Sequence, residues 1–466
     1  MTKSVTHAAT DTAKRPNLLL ISFDDCIAFW KYRHVFGAAL QTPNLDRICA
    51  QSTAFHAAYA QVPLCGPSRA SFMSGKSPHQ IGVFSNKISV FDRIPAEDMW
   101  SVRLRERGWF CSSGGKVHHG YRPLRPAVHT RLYDDQRKRF RIDIRLPKAW
   151  NQTALGGHGG GKSTVDDADD HKYHDANSAL SFSNFIDNYD GDAPFYREVG
   201  FFGPHTPFIT PLKFKKLYKY GQFAQPESWR SGWDHNPYAD EHMIENKDTS
   251  KRTYWQKSVR NYFAALTHAD HYLGKVWDKL KSSRHADNTR VVILSDHGFH
   301  LGEKNRFRKS SLWEQVAGVP LILHDPANPV GRVVDDPVAL VDVGPTVMDW
   351  FGLPPIPDSP GQSLLPCMTG AHPAERPIPI FFAGSTGIRL GDYRFIRYAD
   401  GSTELFDIKA DWWGMKNLGP DHPAHAMMAK ALQDCLPDWH YSDSKAFGSA
   451  ASEDDDDTDD EDAGDD

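Results

Sequence analysis

The chain has 466 residues, a formal net charge of −5 and 40% hydrophobic residues. This composition excludes a mostly disordered chain, and the length suits one large α/β domain with a smaller second one. No apolar run approaches the roughly 20 residues of a membrane helix. Residues 1–16 also lack the apolar centre of a signal peptide, so we expect a cytoplasmic protein, or a periplasmic or secreted one if a signal was removed.

The charge is unevenly distributed along the chain. Residues 453–466 carry 11 acidic and no basic side chains, which leaves 54 basic against 48 acidic residues elsewhere. We predict a basic globular body and a disordered acidic tail over residues 444–466, because like charges repel and nothing apolar compensates. No groove-reading motif accompanies the basic residues, so they do not indicate nucleic-acid binding.

Three apolar runs predict buried strands that end in acids or histidines. In chain order these are residues 17–25 with Asp24 and Asp25, residues 195–205 with Pro204 and His205, and residues 291–298 with Asp296 and His297. Uninterrupted apolar runs suit parallel strands covered on both faces. Ligands in open α/β sheets bind beyond the carboxyl ends of the strands, so these side chains are predicted to share one site.

The remaining patterns predict a second, smaller unit. Apolar spacing favours helices over 175–188 and 253–283, a strand over 319–323, and a segment over 338–351 that starts extended and turns helical. Four prolines between 354 and 360 indicate a domain boundary. After them come four strand-like pieces and a helix, at 378–382, 387–390, 393–398, 403–407 and 422–436. The predicted organisation is a flexible 1–16, an α/β domain over 17–360, an α+β subdomain over 361–443 and the tail over 444–466.

The sharpest motif is Cys-Gly-Pro-Ser-Arg at residues 65–69. Pro67 suits the first turn of a helix, which places Cys65 at a helix N-terminus, where free N–H groups favour an anion. Arg69 follows at i+4 on the same helical face. A nucleophile, a helix N-terminus and a guanidinium together predict a pocket for sulfate or phosphate.

With this motif the sequence resembles type I sulfatases of the alkaline phosphatase superfamily, whose Cys-x-Pro-Ser-Arg cysteine becomes formylglycine. The resemblance covers most of residues 17–440. It includes Thr-Pro-Asn-Leu-Asp at 42–46 and Glu-Leu-Phe-Asp at 404–407, and the similarity to iduronate-2-sulfatase-like members rests on residues 115–119, 204–208 and 296–298. It implies a large, mixed, mostly parallel sheet between helices, and a sulfuric ester hydrolase acting on a sulfated carbohydrate.

The resemblance also implies the residues of the site. The metal ligands would be Asp24, Asp25, Asp296, His297 and the formylglycine at Cys65. Calcium is the implied ion, since three carboxylates suit a hard cation. Another divalent cation stays open, because His297 stands where most sulfatases have asparagine.

The implied catalytic residues surround the sulfate. Arg69, Lys116 and Lys309 would stabilise the sulfate oxygens, and His205 or Lys309 would protonate the leaving alcohol. His118 or His119 would act on the second hydroxyl of the hydrated aldehyde, and the sequence does not separate the two. We also expect basic residues near Lys304 to steer an anionic sugar.

The expected partners are a sulfated small molecule or saccharide and a formylglycine-generating maturation enzyme, without nucleic acid or membrane. Substrate-binding residues and oligomeric state are unassigned. Two alternatives are a phosphonate monoester or phosphodiester hydrolase of the same superfamily, and a non-catalytic protein that binds sulfated glycans. Residues 156–163 match a P-loop pattern, but no buried strand precedes them and no helix follows, which favours a glycine-rich loop near the substrate.

Overall fold

The computed structural model describes residues 15–120, 123–136, 151–159, 161–242 and 251–436. The predicted acidic tail and most of the predicted flexible N-terminus lie outside these residues. The strands within them are, in chain order, β1 Asn17–Phe23, β2 Thr53–Tyr59, β3 Phe110–Gly115, β4 Gln152–Ala154, β5 Lys162–Thr164, β6 Phe195–Gly200, β7 Thr289–Ser295, β8 His300–Leu301, β9 Phe307–Arg308, β10 Gly318–His324, β11 Arg332–Val334, β12 Val338–Ala339, β13 Ile378–Phe382, β14 Ser385–Leu390, β15 Tyr393–Arg397 and β16 Thr403–Asp407.

Helices connect most of these strands. They are α1 Pro43–Cys49, α2 Cys65–Ser74, α3 Pro78–Ile81, α4 Val90–Arg93, α5 Trp100–Glu106, α6 Pro126–Leu132, α7 His174–Asn188, α8 Leu212–Lys216, α9 Pro237–His242, α10 Arg252–Lys281, α11 Glu314–Ala317, α12 Val343–Trp350, α13 Leu365–Met368 and α14 Pro423–Cys435. None of them combines the length and the apolar character that a membrane crossing requires.

The large sheet has the strand order β11-β2-β10-β7-β1-β6-β3, with β12 also paired to β2. The central strand β1 pairs in parallel with both β6 and β7, whereas β10 runs antiparallel to β7 and β2. Every residue of β1 is buried, as its continuous apolar run predicts. The predicted mixed, mostly parallel sheet is confirmed.

Helices cover both faces of this sheet. Leu19, Ile21 and Phe23 of β1 pack into one hydrophobic cluster with α7 and α10, and Leu18 and Leu20 pack into a second cluster with α2, α5 and α12. This alternation follows from the two-residue period of a strand. The site therefore lies at the edge of a rigid core, where the carboxyl ends of β1, β6 and β7 emerge together.

The smaller sheet is antiparallel, with the order β13-β14-β15-β16. Its outer face packs against Met428 and Leu432 of α14. This arrangement confirms the predicted C-terminal sheet with one helix. The boundary near residue 360 stays a prediction, since α13 still packs against the core of the large sheet through Cys367.

Candidate active site

The predicted metal ligands converge at the carboxyl edge of the large sheet. Asp24 and Asp25 follow β1, and Asp296 and His297 follow β7. Two overlapping groups have ligand atoms within 4.8 Å of one another, and they are Asp24, Asp25, Cys65 and His205, and Asp24, Cys65, Asp296 and His297. Parallel pairing brings the two strand ends to the same edge. All of these side chains are buried.

Cys65 is the first residue of α2, as Pro67 predicts, and it is 0% exposed. Its thiol donates to Asp24 Oδ1 at 3.3 Å, and its Sγ lies 3.3 Å from His297 Nε2 and accepts from Lys309 Nζ at 3.1 Å. Burial, assisted by the negative charge of Asp24, raises the pKa of the thiol to about 11. Charged and metal-ligating groups therefore converge on one sulfur atom.

Arg69 is the main cross-link between the strand ends. Its Nε donates to Asp296 Oδ2 at 3.0 Å, and one terminal nitrogen donates to the carbonyl oxygens of Lys116 and Val117 at 2.9 and 3.0 Å. Burial acts to lower the pKa of Arg69, but the carboxylates of Asp296 and Asp24 raise it. The guanidinium is therefore a permanent buried cation.

Two lysines complete the cationic side of the site. Lys116 Nζ lies 2.7 Å from Asp24 Oδ2, and Lys309 Nζ donates to Asp25 Oδ1 at 3.2 Å. Burial would raise the pKa of Asp24, but the charge of Lys116, with those of His205, Arg69 and Lys309, holds it well below its usual value. Both lysines are thus buried site residues and not surface lysines.

Gly200, the last residue of β6, lets the Lys116 backbone approach closely. A Cβ on Gly200 would lie 2.0 Å from the carbonyl oxygen of Lys116, a separation no side chain tolerates. A glycine at this strand end is therefore required for Lys116 to reach Asp24.

His205 lies between Asp25 and Lys309. Its Nε2 is 3.2 Å from Lys309 Nζ and 3.9 Å from Asp25 Oδ2, and its Nδ1 bonds the carbonyl oxygen of Thr206. Burial would lower the pKa of His205, but Asp25 raises it to about 10 against the opposing charge of Lys309. The site thus offers two proton-holding nitrogens beside one carboxylate.

The donor set fits a divalent cation. His297 Nδ1 bonds the carbonyl oxygen of Gly298 at 3.0 Å, which leaves Nε2 as the free-lone-pair nitrogen facing Cys65. Asp25 Oδ2 is buried without a hydrogen-bond donor among the described residues. The set consists of carboxylate oxygens and one imidazole, and one of the oxygens has no hydrogen-bond donor within the described ranges. Such a set matches the coordination that a hard cation needs.

The two adjacent histidines have different surroundings. His118 Nε2 lies 2.8 Å from the hydroxyl of Tyr133, which donates to the buried carboxylate of Glu198 at 2.5 Å. Burial, with the charge of Arg69, lowers the pKa of His118 to about 3. His119 instead packs over the first turn of α2, since a Cβ on Gly66 would lie 3.3 Å from His119 Cβ.

Two residues of the site were not predicted to be functional from the sequence. Asn86 Oδ1 accepts the N–H of Gly66 at 2.9 Å, beside Cys65. Tyr262 of α10 donates to the carbonyl oxygen of Asp25 at 2.5 Å, where Asp25 adopts a left-handed φ of 62°. Neither residue belongs to a motif, and only the spacing of apolar residues in α10 marked Tyr262.

The prediction that basic residues near Lys304 steer an anionic sugar toward the site is wrong. This side chain is 5% exposed, and its Nζ lies 5.0 to 5.5 Å from the ring centres of Trp233, Trp313 and Phe406. Arg306 is also 5% exposed and lies over Trp313. Cation–π contacts hold both charges inside the protein, so they form no steering surface.

The sequence matches the family model for sulfatases over residues 16–353. The chain belongs to the sulfatase family. A sulfatase from Formosa agariphila is 28% identical and aligns over 85% of this chain and 82% of its own length. A choline-sulfatase from Rhizobium meliloti is 29% identical (95% and 90%), and iduronate 2-sulfatase from Mus musculus is 27% identical (76% and 71%). This membership makes the protein a sulfuric ester hydrolase.

Solved structures show the same fold. The phosphonate monoester hydrolase of Agrobacterium radiobacter superposes with a TM-score of 0.73 at 20% identity, over 91% of this sulfatase and 95% of that chain. An enzyme bound to its substrate D-glucosamine-2-N,6-O-disulfate superposes with a TM-score of 0.69 at 21% identity, over 94% and 100%.

Proposed function

We propose that this sulfatase removes sulfate from a sulfated carbohydrate, with Cys65 in its formylglycine form and a calcium ion bound by Asp24, Asp25, Asp296 and His297. The observation that carries the proposal is the convergence of these ligands and of Lys309 on Cys65 Sγ. Two related proteins add the substrate class, since one is named for iduronate and another is bound to a disulfated glucosamine.

The proposed calcium ion and formylglycine have defined chemical tasks. A calcium ion at these ligands would withdraw negative charge from the sulfate and from the attacking oxygen. Formylglycine would supply an aldehyde hydrate, whose two hydroxyls allow both attack and later release of sulfate. Asp296, which accepts from Arg69 Nε through Oδ2, would be the base that takes the proton of the attacking hydroxyl.

The cations would stabilise the charge that develops on the sulfate oxygens. Arg69, Lys116 and Lys309 approach from three elements and are all buried, so water screens them little. Because their carboxylate partners fix them in the resting protein, no rearrangement is needed when substrate arrives. This preorganisation is the main catalytic contribution that we assign to the chain itself.

Proton transfer to the leaving alcohol falls to His205 and Lys309. Their nitrogens lie 3.2 Å apart, so either can hold the proton that the departing oxygen needs. On the opposite side, we assign His119 and not His118 to the deprotonation that releases sulfate. His119 packs against Gly66, the residue after Cys65, whereas the Nε2 of His118 lies 2.8 Å from the hydroxyl of Tyr133.

A substrate panel tests this function. The chain is co-expressed with a formylglycine-generating enzyme, the Cys65 peptide is checked by mass spectrometry, and turnover is measured on 4-nitrophenyl sulfate, sulfated monosaccharides, choline sulfate and an aryl phosphonate diester. We expect the highest kcat/KM on a sulfated sugar. A preference for the phosphonate would establish the alternative hydrolase, which shares the fold. A matured chain that turns over none of these would indicate a binding protein.

A further inference from the structure

The glycine-rich segment that matches the P-loop pattern is a β-hairpin in the structure. Strand β4 pairs antiparallel with β5, and a 3₁₀ turn at Asp167–Lys172 follows where a P-loop would open a helix. We call the described residues 152–159 and 161–164 the glycine hairpin. It contacts the two loops that carry the proposed proton donors, through Phe208 and Phe307.

The glycine hairpin is fixed to α10. Asn261 Nδ2 donates to the carbonyl oxygen of Gly156 at 2.9 Å, and the N–H of His158 donates to Ser258 Oγ at 2.8 Å. Tyr262, on the same helix, donates its hydroxyl to the carbonyl oxygen of Asp25. The hairpin and the metal ligands therefore share one rigid support.

The hairpin also holds the loop of His205. The N–H of Phe208 donates to the carbonyl oxygen of Gly159 at 3.1 Å. Lys215 Nζ bridges the two segments, because it donates to the carbonyl oxygens of Phe208 and Lys162, each at 2.9 Å. Contact is close, since a Cβ on Gly159 would lie only 2.6 Å from the Phe208 ring.

On its other side the hairpin meets the loop of Lys309. The His158 ring stacks on Phe307 with centroids 5.3 Å apart and an interplanar angle of 13°. Burial, with the charge of Arg308, lowers the pKa of His158 to about 3. The imidazole is thus neutral, and its contact with Phe307 is one between two ring faces that phenylalanine can reproduce.

We propose that His158 and Gly159 are positioning residues, which set the separation of His205 and Lys309 and so control proton delivery to the leaving alcohol. The inference rests on the proposed roles of His205 and Lys309. These two side chains come from separate loops, and the glycine hairpin contacts both loops, at Phe208 and at Phe307. Proton transfer depends steeply on donor geometry, so a small displacement of either loop slows the step.

Leaving-group dependence separates positioning from a general structural role. The 4-nitrophenolate ion leaves without much help from an acid, whereas phenolate needs a proton more. We therefore measure kcat/KM on 4-nitrophenyl sulfate and phenyl sulfate for the matured wild type and for Gly159→Ala, His158→Ala and His158→Phe. The control is Gly156→Ala, which shares the φ of 68° at Gly159 but meets only the Lys257 side chain, at 3.7 Å.

We expect Gly159→Ala and His158→Ala to lose about tenfold more activity on phenyl sulfate than on 4-nitrophenyl sulfate. His158→Phe and Gly156→Ala should keep the wild-type ratio of the two substrates. Equal losses on both substrates in the first two variants, or the same change of ratio in Gly156→Ala, would overturn the inference. If Gly159→Ala does not fold, the comparison of His158→Ala with His158→Phe tests the inference by itself.

His205→Ala and Lys309→Ala test the proton-donor assignment separately from the positioning role of the hairpin. If neither shows the leaving-group preference, the assignment of these residues as proton donors is wrong, and the positioning role is wrong with it. If either shows the preference and the hairpin variants do not, only the positioning role is wrong.

Discussion

Two buried charged clusters in this protein differ in how completely their carboxylate oxygens are hydrogen-bonded. One lies between the two sheets, where Glu314 accepts from the Tyr59 hydroxyl at 2.6 Å and from Arg394 Nε at 2.8 Å. Arg389 lies 3.9 Å away and donates to Tyr59. Each carboxylate oxygen of Glu314 has a donor, and apolar side chains surround the cluster.

The active-site cluster lacks this closure. Three carboxylates lie together, Asp25 Oδ2 has no hydrogen-bond donor among the described residues, and groups of both signs converge on Cys65 Sγ. From this contrast we predict that the Glu314 cluster supports the fold and that the active-site cluster binds a ligand. A substitution in the closed Glu314 cluster should therefore lower stability, whereas a substitution in the open active-site cluster should lower activity.

The largest expected effect is that of Cys65→Ala. We predict a loss of sulfatase turnover of at least about 10³-fold, because the nucleophile is removed, with little change in the melting temperature. The matched control is Cys111→Ala, a buried thiol in the core of the large sheet, which should lower stability and keep kcat/KM. Activity retained by Cys65→Ala would refute the nucleophile assignment.

Asp296→Asn should lose bound metal and turnover together. We expect a fall in kcat/KM on the order of 10²-fold or more, because both a ligand and the partner of Arg69 are weakened. Metal content after dialysis is measured beside activity. Asp270→Asn, which alters a buried carboxylate that accepts the N–H of Leu45, should keep the metal. Full metal content in Asp296→Asn would contradict its role as a ligand.

Glu314→Gln tests the closed cluster. It leaves Arg394 and Arg389 buried without a carboxylate, so we expect the free energy of unfolding to fall by about 3–5 kcal/mol. Turnover per folded molecule should stay within about twofold of wild type, because the hydrogen bonds described at Cys65 Sγ come from Asp24, His297 and Lys309 and not from this cluster. Unchanged stability in urea unfolding, or a selective loss of kcat, would remove the distinction between the clusters.

Glu198→Gln should have the smallest effect, and one that depends on pH. Burial raises the pKa of Glu198 to about 7 against the hydrogen bonds of Tyr133 and Tyr196, whereas an unfolded glutamate titrates near about 4.3. Between these values the folded chain binds more protons, so wild-type stability falls as pH rises. Relative to Glu198→Gln, we expect wild type to lose at most about 3 kcal/mol between pH 4 and 8. A difference independent of pH would contradict the raised pKa.

Elements with a strong apolar pattern were predictable from the sequence. The strand ends at Asp24 and Asp296 and the helix start at Cys65 follow from local signals. The strands β2 and β3 were not predicted, because Thr-Ala-Phe-His-Ala-Ala-Tyr and Phe-Cys-Ser-Ser-Gly-Gly hold few large apolar residues. Pairing with β10 and β6 stabilises them, and such pairing has no local signature.

Side-chain direction in the loops was not predictable. Lys304, Asn305, Arg308 and Ser310 all have φ between 47° and 105°, although none is glycine. Left-handed backbone of this kind is imposed by the surrounding packing. It decides that Lys309 faces Cys65 while Lys304 turns into the aromatic rings.

The complete burial of Cys65 has a consequence for biosynthesis. A maturation enzyme would have to take Cys65 and its flanking backbone into its own active site, which the folded protein does not allow because Cys65 is 0% exposed in the first turn of a fully buried helix. If Cys65 is converted to formylglycine, as we propose, we predict that conversion precedes the docking of α2 onto the sheet, in the order synthesis, oxidation and then folding. Treating purified, folded protein with a maturation enzyme should leave Cys65 unconverted. Co-expression should give conversion, because the enzyme is then present before the chain has folded.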